Sequence, residues 1–230
     1  LYDNNLKPLL KQAHHLCLSG CGEALLSRHG RRILMGLVPE EYPNLEIELR
    51  TNMTVLNEKN WLSLGEGRRT IKHIAASIDA AKKETFEDLR YPAKWDIVLD
   101  NLKFVQRLRQ QGEIEMFEFH VVVQEKNVEE LMDIIRLAQS LDVDTVTFSK
   151  MLNWRDIPAE EYHQMNPFYV DNPTHVRFIE VLREIRELQE QMESDSWEKS
   201  GRKRMYINMH GLHDVSDRYD EIRYGRYIIR

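Results

Sequence analysis

The sequence is poor in the residue that ties small folds together: it holds two cysteines in 230 residues, too few for a disulfide framework. It has no apolar run long enough to span a bilayer, and no secretory pattern opens it. These absences point to a cytoplasmic protein without a membrane partner. Basic residues number 32 against 38 acidic, a net charge of -6, which argues against the broad cationic footprint of a nucleic-acid binder. Phosphate-cradling glycine patterns are missing, as is the nucleophile elbow of a hydrolase. His14 and His15 are adjacent, so they diverge on a helix and face opposite ways on a strand. His210 and His213, with Asp214 and Asp217, have groups able to bind zinc, but a histidine pair in a charged loop is more often just solvated. No metal set and no catalytic residue is assigned. What remains is an ordinary globular composition, 42% hydrophobic and 30% charged, at a length that suits one large domain or a domain with an extension.

Along the chain, Leu6, Leu9, Leu10 and Ala13 share a helical face, with Pro8 early in the helix. The apolar run Leu16-Cys17-Leu18 stops at Gly20 and Gly22, with Glu23 behind. Arg28 to Leu37 reads as a short helix closed by Pro39 and Pro43. Leu45 to Leu49 alternates as a strand, and Asn57 caps a helix before Trp61. His73 to Ile78 is a third strand, followed by a helix to about Arg90. Trp95, Val98, Leu102, Val105 and Leu108 recur at three and four residues, the signature of a long amphipathic helix, which Gly112 breaks. Phe117 to Val123 is a β-branched and aromatic strand. Asn127 is expected to cap the next helix, buried through Val128, Leu131, Ile135 and Ala138. Asp144 to Phe148 is a fifth strand. Five strands are therefore expected near residues 16–20, 45–51, 73–78, 117–123 and 144–148.

Such alternation of strand and helix implies an α/β fold with parallel strands and right-handed crossovers. A closed barrel and a doubly wound sheet both fit this rhythm. After Trp154 it changes. Pro158, Pro167 and Pro173 mark irregular chain, and Thr174 to Met192 is a helix with Phe178, Leu182 and Ile185 inward. A charged loop follows over Ser194–Arg204, and Met205 to Met209 is a candidate further strand before a charged, tyrosine-bearing tail. The expected division is residues 1–165 for the α/β body and 166–230 for an extension packed on it. The helical pattern starts almost at Leu1, and the expectation is that the natural beginning lies upstream.

Polar groups recur where strands end. They are Gly20, Gly22 and Glu23 after the first, Thr51 and Asn52 after the second, Ser77 and Asp79 after the third, and Gln124 and Asn127 after the fourth. Parallel sheets hold ligands at such ends. Carboxylates, hydroxyls and amides together suit a zwitterionic or nucleoside-like molecule. Taken singly, Asp79 and Asn127 read equally as helix caps and Ser77 as a strand end. Their recurrence at successive strand ends favours a site.

These motifs, Leu18-Ser19-Gly20-Cys21-Gly22-Glu23, Leu49-Arg50-Thr51-Asn52, Ala76-Ser77-Ile78-Asp79-Ala80, Thr85-Phe86-Glu87-Asp88-Leu89-Arg90 and Val122-Val123-Gln124 with Asn127, follow an order that resembles the radical S-adenosylmethionine enzymes over roughly the first two thirds of the chain. The resemblance implies a partial (β/α) TIM-like barrel with outer helices and a C-terminal helical extension, open where a first strand would sit. It implies S-adenosylmethionine as cofactor. Glu23 would take the amino group of the methionine part, and Ser77 and Asp79 the ribose and carboxylate. Arg90 would neutralise the carboxylate, with Gln124 and Asn127 nearer the adenosine or substrate. Surface pairing of Arg90 with Glu84, Glu87 or Asp88 is the plainer role for that arginine.

The departures are as informative. The family's Cys-x-x-x-Cys-x-x-Cys loop for a 4Fe–4S cluster is absent. Cys17 reads as a small buried apolar residue, and Cys21 fills the variable place in the glycine turn. Met53 stands where glycine often follows Thr-Asn, and Ala24 where proline is usual. The leading expectation is an enzyme that abstracts hydrogen from a small-molecule or peptide substrate, using an external electron donor, only once a cluster-bearing segment is supplied. The alternatives are a degenerate, non-catalytic barrel that binds a peptide or protein, and an unrelated α/β enzyme for another nucleotide or sugar.

Overall fold

A computed structural model of the chain describes residues 6–18, 22–153, 157–194 and 205–210. The strands are β1 (His15–Leu18), β2 (Glu46–Thr51), β3 (Ile71–Ser77), β4 (Met116–Val123), β5 (Thr145–Lys150) and β6 (Tyr206–His210). The helices are α1 (Lys7–Leu10), α2 (Arg28–Gly36), α3 (Glu58–Leu62), α4 (Lys83–Leu89), α5 (Trp95–Gln110), α6 (Leu131–Ser140), α7 (Ala159–Met165) and α8 (His175–Glu193). The strands are hydrogen-bonded in chain order, β1-β2-β3-β4-β5-β6. β1 with β2, β2 with β3, and β5 with β6 run parallel. An order without reversal excludes the doubly wound sheet, whose strands turn back at a switch point. The expected strands are present within a few residues, and Met205 to Met209 does contribute a sixth.

The chain divides into two compact units, Leu1–Ser77 with Ala93–Phe119, and Ile78–Pro92 with His120–Arg230. In the first unit, α5 buries Trp95, Val98, Leu102, Val105 and Leu108, the stripe that the three-four spacing sets. Each such side chain contributes about 1.5–3 kcal/mol. Asn57 caps α3 through its side chain, which accepts the Asn60 N–H at 3.0 Å. Gly112, at φ +73°, ends the α5 turn in a conformation that costs a glycine little.

Cys17 departs from expectation, because it is exposed rather than buried. β1 is an edge strand, and no residue in it is fully buried. A period of two turns Cys17 to the same uncovered face as His15.

In the second unit, α8 buries Phe178, Leu182 and Ile185 and packs on α6. Gln189 on α8 donates to the Ile207 carbonyl of β6 at 2.7 Å. Asn127 does not cap α6. A 3₁₀ turn over Glu125–Glu130 intervenes, and Asn127 closes that turn by accepting the Gln124 N–H at 3.0 Å. Gly20, Cys21, Trp154, nearly all of the Ser194–Arg204 loop and the tail lie outside the described residues.

Candidate functional site

In the first unit the site is built on Glu23. Gly22 precedes it at φ +121°, in the left-handed region that glycine enters freely. The turn it makes leaves Glu23 only 8% exposed. One carboxylate oxygen accepts the Thr51 hydroxyl at 2.9 Å and the Asn52 N–H at 2.8 Å. The other accepts the Leu25 N–H at 3.4 Å. All three donors are neutral, and no cation pairs with Glu23 among the described residues. Thr51 ends β2, so it stands at the carboxyl end of a parallel strand, where such sheets keep ligands.

The turn after β2 is held from several sides. The Asn52 side chain accepts from Thr54 N–H at 3.0 Å and Thr54 hydroxyl at 2.6 Å. Met53 sits at φ +64°, a strained region for a residue with a Cβ. Its N–H donates to Thr51 Oγ1 at 3.1 Å, and its carbonyl accepts from Asn101 at 2.6 Å. Asn101 belongs to the buried face of α5 and escaped the sequence reading. Its signal was an amide beside the apolar stripe. Ser77 ends β3, half-buried, and its hydroxyl has no partner among the described residues.

The same unit carries a polar network that sequence reading also missed. Burial works against the charge of Glu48, but the Arg50 guanidinium bonded to it, with His73 and the Cys17 thiol, holds its carboxyl below the usual range. Arg50 Nε lies 2.6 Å from Glu48, and His15 Nε2 3.3 Å. His73 stands 3.9 Å from Glu48 and 3.0 Å from Glu118. The signal was charge at every second position of β2, Glu46, Glu48 and Arg50, where a strand alternates faces.

In the second unit the site is built on Asp79. It is nearly buried. Its Oδ1 accepts the Val122 N–H at 2.8 Å, and its Oδ2 lies 2.6 Å from Arg90 Nε. Burial pushes the Asp79 carboxyl up, and the Arg90 charge draws it back. Asp79 therefore caps no helix, and Arg90 pairs with it rather than with Glu84, Glu87 or Asp88. Asn127 is fully buried, and its amide donates to the carbonyls of Asp79 and Val122, both at 2.8 Å. Gln124 answers with its side chain on the Asn127 N–H. Glu130, also missed, accepts the Ala81 and Lys82 N–H groups at 2.9 Å each. Its only signal in sequence was its place three residues beyond Asn127.

Neither a family model nor a curated protein matches the sequence. Solved structures do. Streptococcus suis SuiB matches 98% of this chain with 46% of its own, at TM-score 0.61 and 12% identity. SuiB bound to S-adenosylmethionine matches 95% with 47%, at TM-score 0.60 and 12% identity. Native anSMEcpe with bound AdoMet matches 96% with 56%, at TM-score 0.59 and 17% identity. The chain shares the fold of these structures. It spans about half the length of the structures it matches. The cysteines present do not fit a 4Fe–4S cluster. There are two in the sequence, where cysteine-ligated clusters of this kind are typically held by four thiolates. Among the described residues no His, Cys, Asp and Glu side chains group to hold a metal ion. No helix among them is long and apolar enough to cross a membrane.

Proposed function

We propose that this chain is the S-adenosylmethionine-binding part of a partial (β/α) barrel, and that hydrogen abstraction by the protein depends on a 4Fe–4S cluster held by residues other than these. The observation that carries the reading is Glu23, a carboxylate at a strand end supported by three neutral donors. Such an anion is ready for a ligand's ammonium, since the described residues supply hydrogen bonds but no countercharge. Gly22 gives the ligand close access to the backbone. Thr51 and Asn52 hold Glu23 in place. Ser77 and Asp79 take the ribose and carboxylate, and Arg90 neutralises the carboxylate. Gln124 and Asn127 shape the loop behind it. The cofactor itself supplies the radical chemistry; this chain binds and orients it.

The proposed substrate is a peptide. Two structures of this fold were solved with peptides, SuiB with precursor peptide SuiA and anSMEcpe with Cp18Cys. Calorimetry with S-adenosylmethionine tests the reading. Glu23→Gln should weaken binding, and unchanged affinity removes the ammonium contact. The chain alone, after anaerobic reconstitution with iron and sulfide, should form no 5′-deoxyadenosine under dithionite, and product from it would implicate Cys17 and Cys21.

A further inference from the structure

Arg90 stands directly after α4 and closes that helix. Its Nε is buried and pairs with Asp79 Oδ2 at 2.6 Å as an ion pair, at an angle that makes no hydrogen bond, while the side chain as a whole stays 26% exposed. Asp79 is its one partner among the described residues. A guanidinium is a planar fork of five N–H donors, and the edge formed by its two terminal nitrogens has no partner among the described residues. The Asp79 partner is itself held in place. One Asp79 oxygen takes the Val122 N–H and the other faces Arg90, and the Asp79 carbonyl takes Asn127. Glu130 grips the backbone of Ala81 and Lys82 and the Thr85 hydroxyl, so the start of the helix that carries Arg90 is clamped as well. With 6% of its side chain exposed, Asp79 has little surface to offer a ligand.

We propose that Asp79 is a positioning residue, which aims Arg90 so that the outer edge of the guanidinium receives a ligand carboxylate in a bidentate contact. This rests on the S-adenosylmethionine reading and changes one role in it, because Asp79 then acts through Arg90 and not on the ribose. A fork matches a planar carboxylate only when it is held in one orientation, and a buried anion on its back edge supplies that orientation. The same anion keeps the guanidinium from turning to the nearby surface carboxylates of α4.

The test compares S-adenosylmethionine with its decarboxylated analogue, by calorimetry, on the native chain, Asp79→Asn, Arg90→Gln and the double variant. The native chain should prefer the carboxylate-bearing ligand by on the order of tenfold, as expected for one charge-assisted contact. Each single variant should lose that preference, the double variant should lose no more than either, and the analogue should bind all four alike. If Asp79→Asn weakens both ligands equally and keeps the preference, Asp79 touches the ribose and the proposal fails. Should Asp79→Asn not fold, Asp79→Glu keeps the charge, displaces it by one methylene, and must also lose the preference.

A second readout separates this proposal from the cofactor reading. The Arg90 side-chain nitrogens, followed by ¹⁵N NMR and assigned through Arg90→Lys, should shift on titration with acetate, and should not do so in Asp79→Asn. A silent native Arg90, or an Asp79→Asn response equal to the native one, overturns the proposal whatever S-adenosylmethionine does. An acetate response in a chain that binds no S-adenosylmethionine sinks the cofactor reading and keeps Arg90, aimed by Asp79, as the receptor of another carboxylate.

Discussion

Glu23 in the first unit and Asp79 in the second are both strand-end carboxylates with little exposure, yet their surroundings are opposite. Glu23 is met by a hydroxyl and two N–H groups, all neutral. Asp79 is met by one N–H and a guanidinium 2.6 Å away. A buried charge needs compensation from somewhere. At Asp79 the protein has built the countercharge in. At Glu23 the described residues supply only hydrogen bonds, which suits a ligand that brings the countercharge. Two acids that look alike in sequence are thus suited to different work, one to receive a cation and the other to orient one.

The comparison breaks most sharply at Arg90. In Arg90→Met the Asp79 charge stays buried with no partner, which should destabilise the fold by about 3 kcal/mol at neutral pH. The pH dependence has a definite sign. Burial already raises the Asp79 carboxyl above its ordinary value, and losing Arg90 raises it further. A carboxyl raised in the folded state binds its proton more readily there than in the unfolded chain. The penalty is therefore full above the folded value and fades as pH falls toward the unfolded one. Urea unfolding at neutral pH and at about pH 4 should show the gap between variant and native protein closing on acidification. A gap that does not change with pH would mean that Asp79 is not the group left uncompensated.

Met53→Gly tests the first unit's side of the comparison. Met53 holds φ +64° in the turn that presents the Asn52 N–H to Glu23. Glycine relieves about 1–2 kcal/mol of left-handed strain. It also deletes a fully buried side chain, and large-to-small core changes for methionine cost about 2–5 kcal/mol. The packing loss wins, and a net destabilisation of about 2 kcal/mol is expected. A more stable variant would show that the turn's strain, and not its packing, dominates.

What could be read from the sequence follows the reach of each signal. The α5 stripe and the strands at β2, β3 and β4 were legible because periodicity reports directly on which face is buried. The motifs around Glu23, Thr51 and Asn52 were legible as a group, and the structure does bring those three side chains or backbone groups into one set of hydrogen bonds. The Asp79–Arg90 pair was not, since a helix separates them and sequence distance suggested nearer partners for Arg90. Cys17 was misjudged because apolar neighbours say nothing about whether a strand lies at an edge. Asn127 was misplaced by a 3₁₀ turn, which shifts the helix start without changing the pattern of buried residues. Glu130 and Asn101 act through backbone groups far along the chain, and no local spacing announces such contacts.

Glu23→Gln should have a smaller effect on stability, because the amide keeps one acceptor oxygen for Thr51 and Asn52. About 1 kcal/mol is expected, the value of a typical hydrogen bond. Ligand binding is where the two acids part, for an amide cannot neutralise an ammonium. Thermal unfolding with and without S-adenosylmethionine separates the two effects. A ligand-induced stabilisation retained in full by Glu23→Gln would remove Glu23 from the contact.

The smallest effect expected is at Lys126, and it sharpens the comparison through burial alone. Lys126 Nζ lies 2.5 Å from Asp88, no farther than Arg90 lies from Asp79. Distance would rank the two pairs as equals. Exposure does not, with the Lys126 and Asp88 side chains 54% and 57% exposed. Water then compensates either partner when the other is removed, and ions screen the pair. Lys126→Ala should change stability by no more than a few tenths of a kcal/mol, and added salt should erase even that. The same salt series on Arg90→Met should leave most of its loss in place, because a buried charge is screened little. If both variants lose stability alike, or both lose their effect in salt, burial is not what distinguishes Asp79, and the contrast with Glu23 falls with it.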